Sequence, residues 1–163
     1  DEARLVDRFA ALCDAAAPYR LSCDLEFMPW TPVRDVAIAA RVVRAAARPN
    51  GGVLVDALHY ARSGSTREQL HALPRRWLHY AQVCDGAVPG PEDDEGLMRD
   101  ARTARLLPGE GGIDLMALFG PDGALPADLP LSMEIPHDER AAAMGWPAWV
   151  AAAAAATRRL IGR

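Results

Sequence analysis

The sequence contains no lysine, because all eighteen of its basic residues are arginine. Schiff-base chemistry, whether of the aldolase kind or through pyridoxal phosphate, needs a lysine amine. The sequence therefore excludes that class of mechanism for this chain. It also lacks an excess of positive charge: the formal net charge is −4 and the pI is about 5.5. Because no basic face is available, we expect no nucleic-acid partner.

The chain has few cysteines, and they are far apart in the sequence. Cys13, Cys23 and Cys84 are odd in number and form no CxxC motif, which argues against a disulfide framework and a structural zinc site. The pattern favours a reducing, cytoplasmic setting. Cys23 and Cys84 lie in apolar segments, so we interpret them as buried, inert thiols.

Long hydrophobic runs are absent as well. No segment approaches the roughly eighteen consecutive apolar residues of a membrane span, and no secretory signal segment is visible, so we expect no membrane association. Half of the 163 residues are nevertheless hydrophobic, which is enough for the core of one domain spanning residues 1–163.

Hydrophobic spacing alternates between helical and strand patterns along the chain. Short apolar or alternating runs predict four strands, over residues 21–28, 53–58, 77–84 and 130–135. Helical spacing predicts helices over residues 3–17, 33–47, 95–104, 113–119 and 146–161, with a shorter one ending near residue 73. Thr31-Pro32 predicts the start of the second helix, and Ser65 to Glu68 match a capping box.

Strands that alternate with helices indicate an α/β fold with a parallel sheet. A complete (β/α)8 barrel takes about 250 residues, whereas this chain has four predicted strands and begins with a helix. We therefore expect the last four βα units of a TIM-barrel-type fold, a half-barrel. The numbering starts at Asp1, and we expect an N-terminal half to be missing or a second copy to complete the assembly.

Acidic residues fall near the ends of three predicted strands. Side chains alternate across a strand, so Glu26 shares a face with Asp24, and Asp56 and Glu134 lie on the corresponding faces of their own strands. Gln82 of the third strand joins them. Because active sites of α/β barrels lie at the carboxyl ends of the strands, these polar groups are expected to converge there.

Carboxylates brought together in an apolar barrel repel one another and are costly to bury. A divalent cation relieves both effects. Three carboxylates and an amide oxygen are hard ligands, which suit Mn²⁺ or Mg²⁺ best and also accept Zn²⁺ or Co²⁺. Such an ion stabilises an enediolate formed from a sugar, and a carboxylate beside it serves as the base.

Five short motifs carry a resemblance to a known family. They follow one another in the order of the last four strands of the family's barrel: Leu25–Pro29, Val55–His59, Gln82–Asp85, Arg105–Gly111 and Met133–Pro136. In these motifs the chain resembles the sugar phosphate isomerase/epimerases, the xylose isomerase-like TIM barrels that also include endonuclease IV. The resemblance covers nearly the whole chain but only half of the family's barrel.

The resemblance implies a role for each matching residue. Glu26, Asp56, Gln82 and Glu134 would be metal ligands, and Glu26 and Glu134 would also act as the acid/base pair. His59 and Arg105 would contact substrate oxygens, with His59 part of the catalytic set. Backbone N–H groups around Gly109 and Gly111, before a helix at Ile113, would hold a phosphate or hydroxyl.

The leading hypothesis is a metal-dependent isomerase or epimerase that acts on a small carbohydrate or polyol acid through an enediolate. Many epimerases of the family have histidine where Gln82 stands, and glutamine resembles the 3-dehydroshikimate dehydratase branch, so a lyase is the second hypothesis. Endonuclease IV-like repair would need a basic groove and more histidines. A third hypothesis is an inactive half-barrel that pairs with another copy through its sheet edges.

Other polar residues have alternative interpretations. Asp56 either belongs to the site or only caps the helix that follows it. Asp85 is either a partner of the site or a turn residue. His79 has the opposite parity to Gln82, which indicates a structural or solvent-facing side chain, and Trp30 either walls the pocket or packs against a helix.

Overall fold

The computed structural model describes residues 1–162 and contains one sheet of four strands within that range. The strands are β1 (Cys23–Glu26), β2 (Gly51–Asp56), β3 (Ala81–Val83) and β4 (Leu131–Met133). Their order in the sheet follows the chain, and each neighbouring pair is parallel. The predicted α/β fold with a parallel sheet of four strands is therefore confirmed.

Helices precede, connect and follow the strands. They are α1 (Glu2–Ala16), α2 (Val36–Ala46), α3 (Ala57–Arg62), α4 (Arg67–His71), α5 (Asp94–Thr103), α6 (Leu115–Phe119), α7 (Asp138–Met144) and α8 (Trp146–Leu160). Single turns of 3₁₀ helix cover Ala17–Tyr19 and Arg75–Trp77. No helix among residues 1–162 is long and apolar enough to cross a membrane.

The two faces of the sheet differ in chemistry. Val53 and Val55 of β2 and Ala81 and Val83 of β3 are completely buried and form part of the core beneath the helices. The alternate positions carry the polar residues of the opposite face. Burying four such apolar side chains stabilises the fold by about 1 to 3 kcal/mol each, so the helix side of the sheet fixes which residues point the other way.

Two predicted helix starts are wrong. The cap of α2 is Asp35, whose side chain accepts a hydrogen bond from the Ile38 amide at 2.8 Å, whereas Thr31 lies outside the helix. The Thr31 hydroxyl is 2.9 Å from the carbonyl oxygen of Met28 and stabilises a turn after β1. In α4 the capping box joins Thr66 to Gln69, one residue later than predicted.

Two helices were not predicted. α3 begins at the residue after β2, because Asp56 both ends the strand and caps the helix. Since no turn separates the two elements, the apolar run over residues 53–58 hides the change from strand to helix. α7 lies where the sequence is mainly alanine and charge, and Gly145, at φ +81°, separates it from α8. β1, β3 and β4 are shorter than predicted, whereas β2 has the predicted length but begins and ends two residues earlier.

Candidate metal centre

Four parallel strands bring their carboxyl ends to one edge of the sheet. Glu26 and Asp56 are the last residues of β1 and β2, and Glu134 directly follows β4. One carboxylate oxygen of each lies within 4.8 Å of one from both others. The predicted convergence of these three side chains is present, with Gln82 in the middle of β3 paired in register with Asp56.

Asp56 is completely buried, and both of its carboxylate oxygens have partners. Oδ1 accepts hydrogen bonds from the amides of Leu58 at 2.9 Å and His59 at 3.0 Å, so Asp56 does cap α3. Oδ2 accepts one from Nη1 of Arg105 at 2.6 Å. The cap therefore holds the carboxylate rigidly and leaves Oδ2 directed into the cluster.

Arg105 lies behind the carboxylates and is itself only 3% exposed. Its Nε donates to the carbonyl oxygen of Ala101 at 2.8 Å, and its Nη1 also donates to the carbonyl oxygen of Glu134 at 3.1 Å. Nη2 is 3.3 Å from Oε2 of Glu134. These contacts make Arg105 a buried counter-ion of Asp56 and Glu134, while its contact with a substrate stays a prediction.

Glu26 and Glu134 have raised pKa values in the metal-free protein. Burial raises the pKa of Glu26 to about 7, and the nearby charges of Asp56 and Glu134 act in the same direction. Burial also raises the pKa of Glu134, although Arg105 opposes that change. One guanidinium therefore compensates the three carboxylates only in part.

His59 lies on the first turn of α3 and is 2% exposed. Its Nε2 is 3.7 Å from Oε1 of Glu26, and its ring meets that of Trp30 edge to face with centroids 5.2 Å apart. Burial lowers the pKa of His59 to about 4. The imidazole is therefore neutral at pH 7, and Trp30 forms a wall beside it.

Three buried oxygens at this edge have no hydrogen-bond partner among the described residues. They are Oε1 of Glu26, Oε1 of Gln82 and Oε2 of Glu134. The contact between Glu134 and Arg105 is an ion pair by distance but lacks hydrogen-bond alignment. Native proteins leave few buried acceptors unpaired. Hard oxygen ligands from three strands, beside Asp56, fit a divalent cation.

The loop after β3 is organised by Asp85, which is 1% exposed. Its Oδ2 accepts hydrogen bonds from the amides of Gly109 at 2.9 Å and Gly111 at 3.0 Å. Its Oδ1 accepts from Gly86 at 2.8 Å and Ile113 at 3.1 Å. The glycine amides predicted to bind a phosphate or hydroxyl are thus already used within the protein, which corrects that assignment.

The sequence predicts Asp85 to be either a partner of the site or a turn residue, and the structure shows it organising the loop after β3. A carboxylate directly after a strand, together with two glycines in the distant motif, was the available signal. A Cβ at Gly111 would lie 2.3 Å from Oδ1 of Asp85, so glycine permits the close approach. The backbones of Asp85 and Leu106 also exchange two hydrogen bonds of 2.9 Å, which places the adjacent Arg105.

Comparisons with known proteins agree with the fold. Residues 1–160 match the family described as xylose isomerase-like TIM barrel. The chain is 31% identical over 115 residues to an inosose isomerase of Bacillus subtilis, which covers 69% of this chain and 39% of that protein. It is 27% identical over 139 residues to a 3-dehydroshikimate dehydratase of Pseudomonas aeruginosa, covering 85% of this chain and 21% of that protein.

A solved structure shows the same architecture. The crystal structure of the IOLI protein, which holds a zinc atom, superposes with a TM-score of 0.82 at 25% identity. The match covers 98% of this chain and 56% of the IOLI chain. The chain thus spans about half or less of the length of the proteins that it matches. On the match over residues 1–160, it belongs to the xylose isomerase-like TIM barrel family.

Proposed function

We propose that this chain carries the metal and proton-transfer site of a divalent-metal-dependent isomerase or epimerase acting on a small polyhydroxylated ketone. The observation that supports the proposal is the set of unpaired oxygens of Glu26, Gln82 and Glu134 beside the carboxylate of Asp56. These four residues would hold the metal. When bound, the metal would fix neighbouring substrate oxygens and stabilise the negative charge that develops as a proton leaves carbon.

Glu26 and Glu134 would move the proton. Both carboxyl groups have raised pKa values, and that of Glu26 is about 7 in the metal-free protein. With the metal bound, both groups would be carboxylates, and a carboxylate held beside the reacting carbon acts as a general base. Because oxygens of Glu26 and Glu134 lie within 4.8 Å of each other, one would remove a proton and the other would return one to a neighbouring carbon or to the opposite face.

His59 would bind a substrate hydroxyl or carbonyl. Its Nε2 lies 3.5 Å from Nη2 of Arg105, which can only donate. Nε2 is therefore assigned as the acceptor, and the proton of the neutral ring is on Nδ1. Nδ1 is buried and has no hydrogen-bond partner among residues 1–162. A substrate oxygen would satisfy this donor.

Two observations support a proposal for the substrate class. The site contains acceptors and buried polar groups suited to hydroxyl and carbonyl oxygens, and the inosose isomerase relative is 31% identical. We propose a cyclic or linear keto-polyol. A 3-dehydroshikimate dehydratase-like lyase is the second candidate, favoured by the presence of Gln82 and by the dehydratase relative. Both reactions begin by removing a proton next to a carbonyl, so the same residues serve either.

The test is turnover by the metal-loaded protein in D₂O. Inosose and a panel of ketoses are followed by NMR for deuterium incorporation and isomer formation, and 3-dehydroshikimate is followed by absorbance for an aromatic product. The Glu26→Gln and Glu134→Gln variants are expected to lose activity, while Asp24→Asn on the same strand retains it. Absence of both turnover and deuterium exchange in the metal-loaded protein would refute the proposal.

A further inference from the structure

Two of the three cysteines meet on the helix side of the sheet, on the opposite face of β1 from Glu26. Cys13 lies on α1 and is fully buried, while Cys23 is the first residue of β1 and is half-buried. Burial raises the pKa of Cys13, and the Cys23 thiol adds to that change, so the two thiols are neighbours. Cys23 is thus only half-buried, whereas the sequence predicts a buried thiol.

Asn50 holds the two cysteine-bearing segments together. Its side-chain Nδ2 donates to the carbonyl oxygens of Cys13 at 2.9 Å and Leu21 at 3.0 Å. Its own carbonyl oxygen accepts a hydrogen bond from the amide of Cys23 at 2.8 Å. The end of α1 and the start of β1 are therefore fixed to the same residue, so the thiols stay close in the folded protein.

Gly51 lies beside the sulfur of Cys13. Gly51 pairs in register with Cys23 across the first two strands. A Cβ at Gly51 would lie 3.4 Å from Sγ of Cys13 and 3.1 Å from the ring of Phe9. The sulfur of Cys13 thus lies next to the backbone of β2 at Gly51, the residue paired with Cys23. A disulfide needs the two Cβ atoms to approach to about 3.5 to 4.5 Å.

We propose that Cys13 and Cys23 form a reversible disulfide when the protein is exposed to a peroxide. The Cys23 sulfur attacks hydrogen peroxide, the O–O bond breaks, and a sulfenic acid and one water are formed. The Cys13 sulfur then attacks the Cys23 sulfur. The S–O bond breaks, and the leaving hydroxide takes the Cys13 proton as a second water. Two thiols are oxidised by two electrons, and one peroxide is reduced.

The order of the two steps follows from exposure. Burial raises the pKa of Cys13 to about 11, so this group remains a neutral thiol and reacts poorly with peroxide in solution. Cys23 is half-buried and can be reached by a small oxidant. Cys84 is an internal control, because burial raises its pKa to about 12 and Arg105 is the neighbour that its sulfur contacts.

Closure would join α1 to β1 through a loop of eleven residues, counted from Cys13 to Cys23. A disulfide of this loop size restricts the unfolded chain and is expected to raise the Tm by on the order of 5 °C. The cross-link begins three residues before Glu26 but on the opposite face of the strand, so the carboxylate cluster is not contacted.

Peptide mapping tests the proposal on the wild-type protein. After peroxide treatment, alkylation and non-reducing cleavage at arginine, we expect residues 9–20 and 21–34 to be joined with the loss of two hydrogens. A phosphine reductant should separate them. The peptide of residues 77–99 contains Cys84. When the peroxide-treated protein is unfolded before alkylation, this cysteine should be fully alkylated, which shows that it is still a free thiol.

The Tm supplies a second measurement. Peroxide should raise the Tm of the wild type, and reductant should reverse the change. Cys23→Ser should show no reversible shift in Tm. Methionine oxidation should be the same in both proteins, so that it does not account for the difference. The proposal is overturned if Cys23 accumulates as sulfinic or sulfonic acid, or joins a second molecule, while Cys13 stays a free thiol. Because the mapping uses the wild type, this result does not depend on the folding of a variant.

Discussion

Two carboxylates on one face of β1 have different surroundings. Asp24, near the start of the strand, makes a 2.7 Å contact with Nδ1 of His79, whereas Oε1 of Glu26, at the end, has no hydrogen-bond partner among the described residues. Gly52 pairs with Asp24 and leaves room for the contact, since a Cβ there would lie 2.4 Å from Oδ1 of Asp24. Glu26 instead pairs with Leu54.

This difference separates a structural carboxylate from a functional one. Burial raises the pKa of both groups, but the hydrogen bond from His79 opposes the change at Asp24. At Glu26 the neighbouring charges of Asp56 and Glu134 increase it. A polar side chain that the protein leaves unsatisfied is where a ligand is expected to bind.

The largest effect is expected from Arg105→Met in the metal-free protein. This change removes the cation that is 2.6 Å from Asp56 and leaves a buried carboxylate uncompensated. We expect a loss of about 3 to 5 kcal/mol in the free energy of unfolding, measured by urea denaturation. Arg41→Met, in an exposed pair with Glu2, should cost about 1 kcal/mol or less. Equal losses in the two variants would contradict the assignment of Arg105 as a buried counter-ion.

Metal affinity should distinguish the two carboxylates of β1. Glu26→Gln is expected to weaken Mn²⁺ or Zn²⁺ binding by more than the roughly 100-fold that loss of an outer hydrogen-bond partner causes. Asp24→Asn should leave the affinity within about threefold, because Asp24 is outside the carboxylate cluster. Isothermal titration calorimetry gives both values, and a similar loss in both variants would remove the distinction.

Loss of the partner of Asp24, near the start of β1, should lower stability, whereas removal of the Glu26 charge at the end of β1 should not. His79→Ala leaves Asp24 buried without its partner, and we expect the free energy of unfolding to fall by about 1 to 3 kcal/mol. Its metal affinity should not change. Glu26→Gln removes repulsion among the carboxylates, so the metal-free variant should be at least as stable as the wild type. Chemical denaturation with and without metal measures both effects.

The pH dependence of metal binding is the smallest effect. The pKa of Glu26 in the folded metal-free protein, about 7, is above its ordinary value of 4.5. The folded state therefore holds a proton that the unfolded state lacks between pH 4.5 and 7, and stability from protonation is lost as pH rises through this window. Metal must displace that proton, so affinity should fall about tenfold per pH unit below 7 and level off above it.

Calorimetry between pH 5.5 and 8 measures this profile, with Asp24→Asn as the matched control. The control should follow the wild type. A profile of the wild type that is flat across pH 7 would show that Glu26 does not compete with the metal for a proton.

Much of the fold could be predicted because hydrophobic spacing identifies the faces of strands and helices. Alternation along the strands predicts that Glu26, Asp56 and Glu134 share one side of the sheet, and the structure brings their carboxylates together there. The predicted metal ligands also keep the order of the family's motifs. Strand alternation did not predict that His79 contacts Asp24. β3 begins only at Ala81, so the alternation of side chains does not apply to His79.

The remaining features depend on contacts distant in sequence. Asp85 meets amides 24 to 28 residues away, and Arg105 reaches Asp56 across 49 residues. No local pattern shows that an arginine after a polar helix turns inward or that two glycine amides already have an acceptor. Likewise, Cys13 and Cys23 meet because Asn50 joins their backbones, which the spacing of the cysteines does not reveal.

The most direct test of the central claim is anomalous diffraction from crystals soaked in Mn²⁺. The account predicts a peak bound by carboxylate oxygens of Glu26, Asp56 and Glu134 and by the side-chain oxygen of Gln82, at metal–oxygen distances of about 2.0 to 2.4 Å. The peak should be absent from Glu26→Gln crystals and present in Asp24→Asn crystals. Absence of manganese at this cluster in the wild type, at concentrations that saturate binding in solution, would contradict the account.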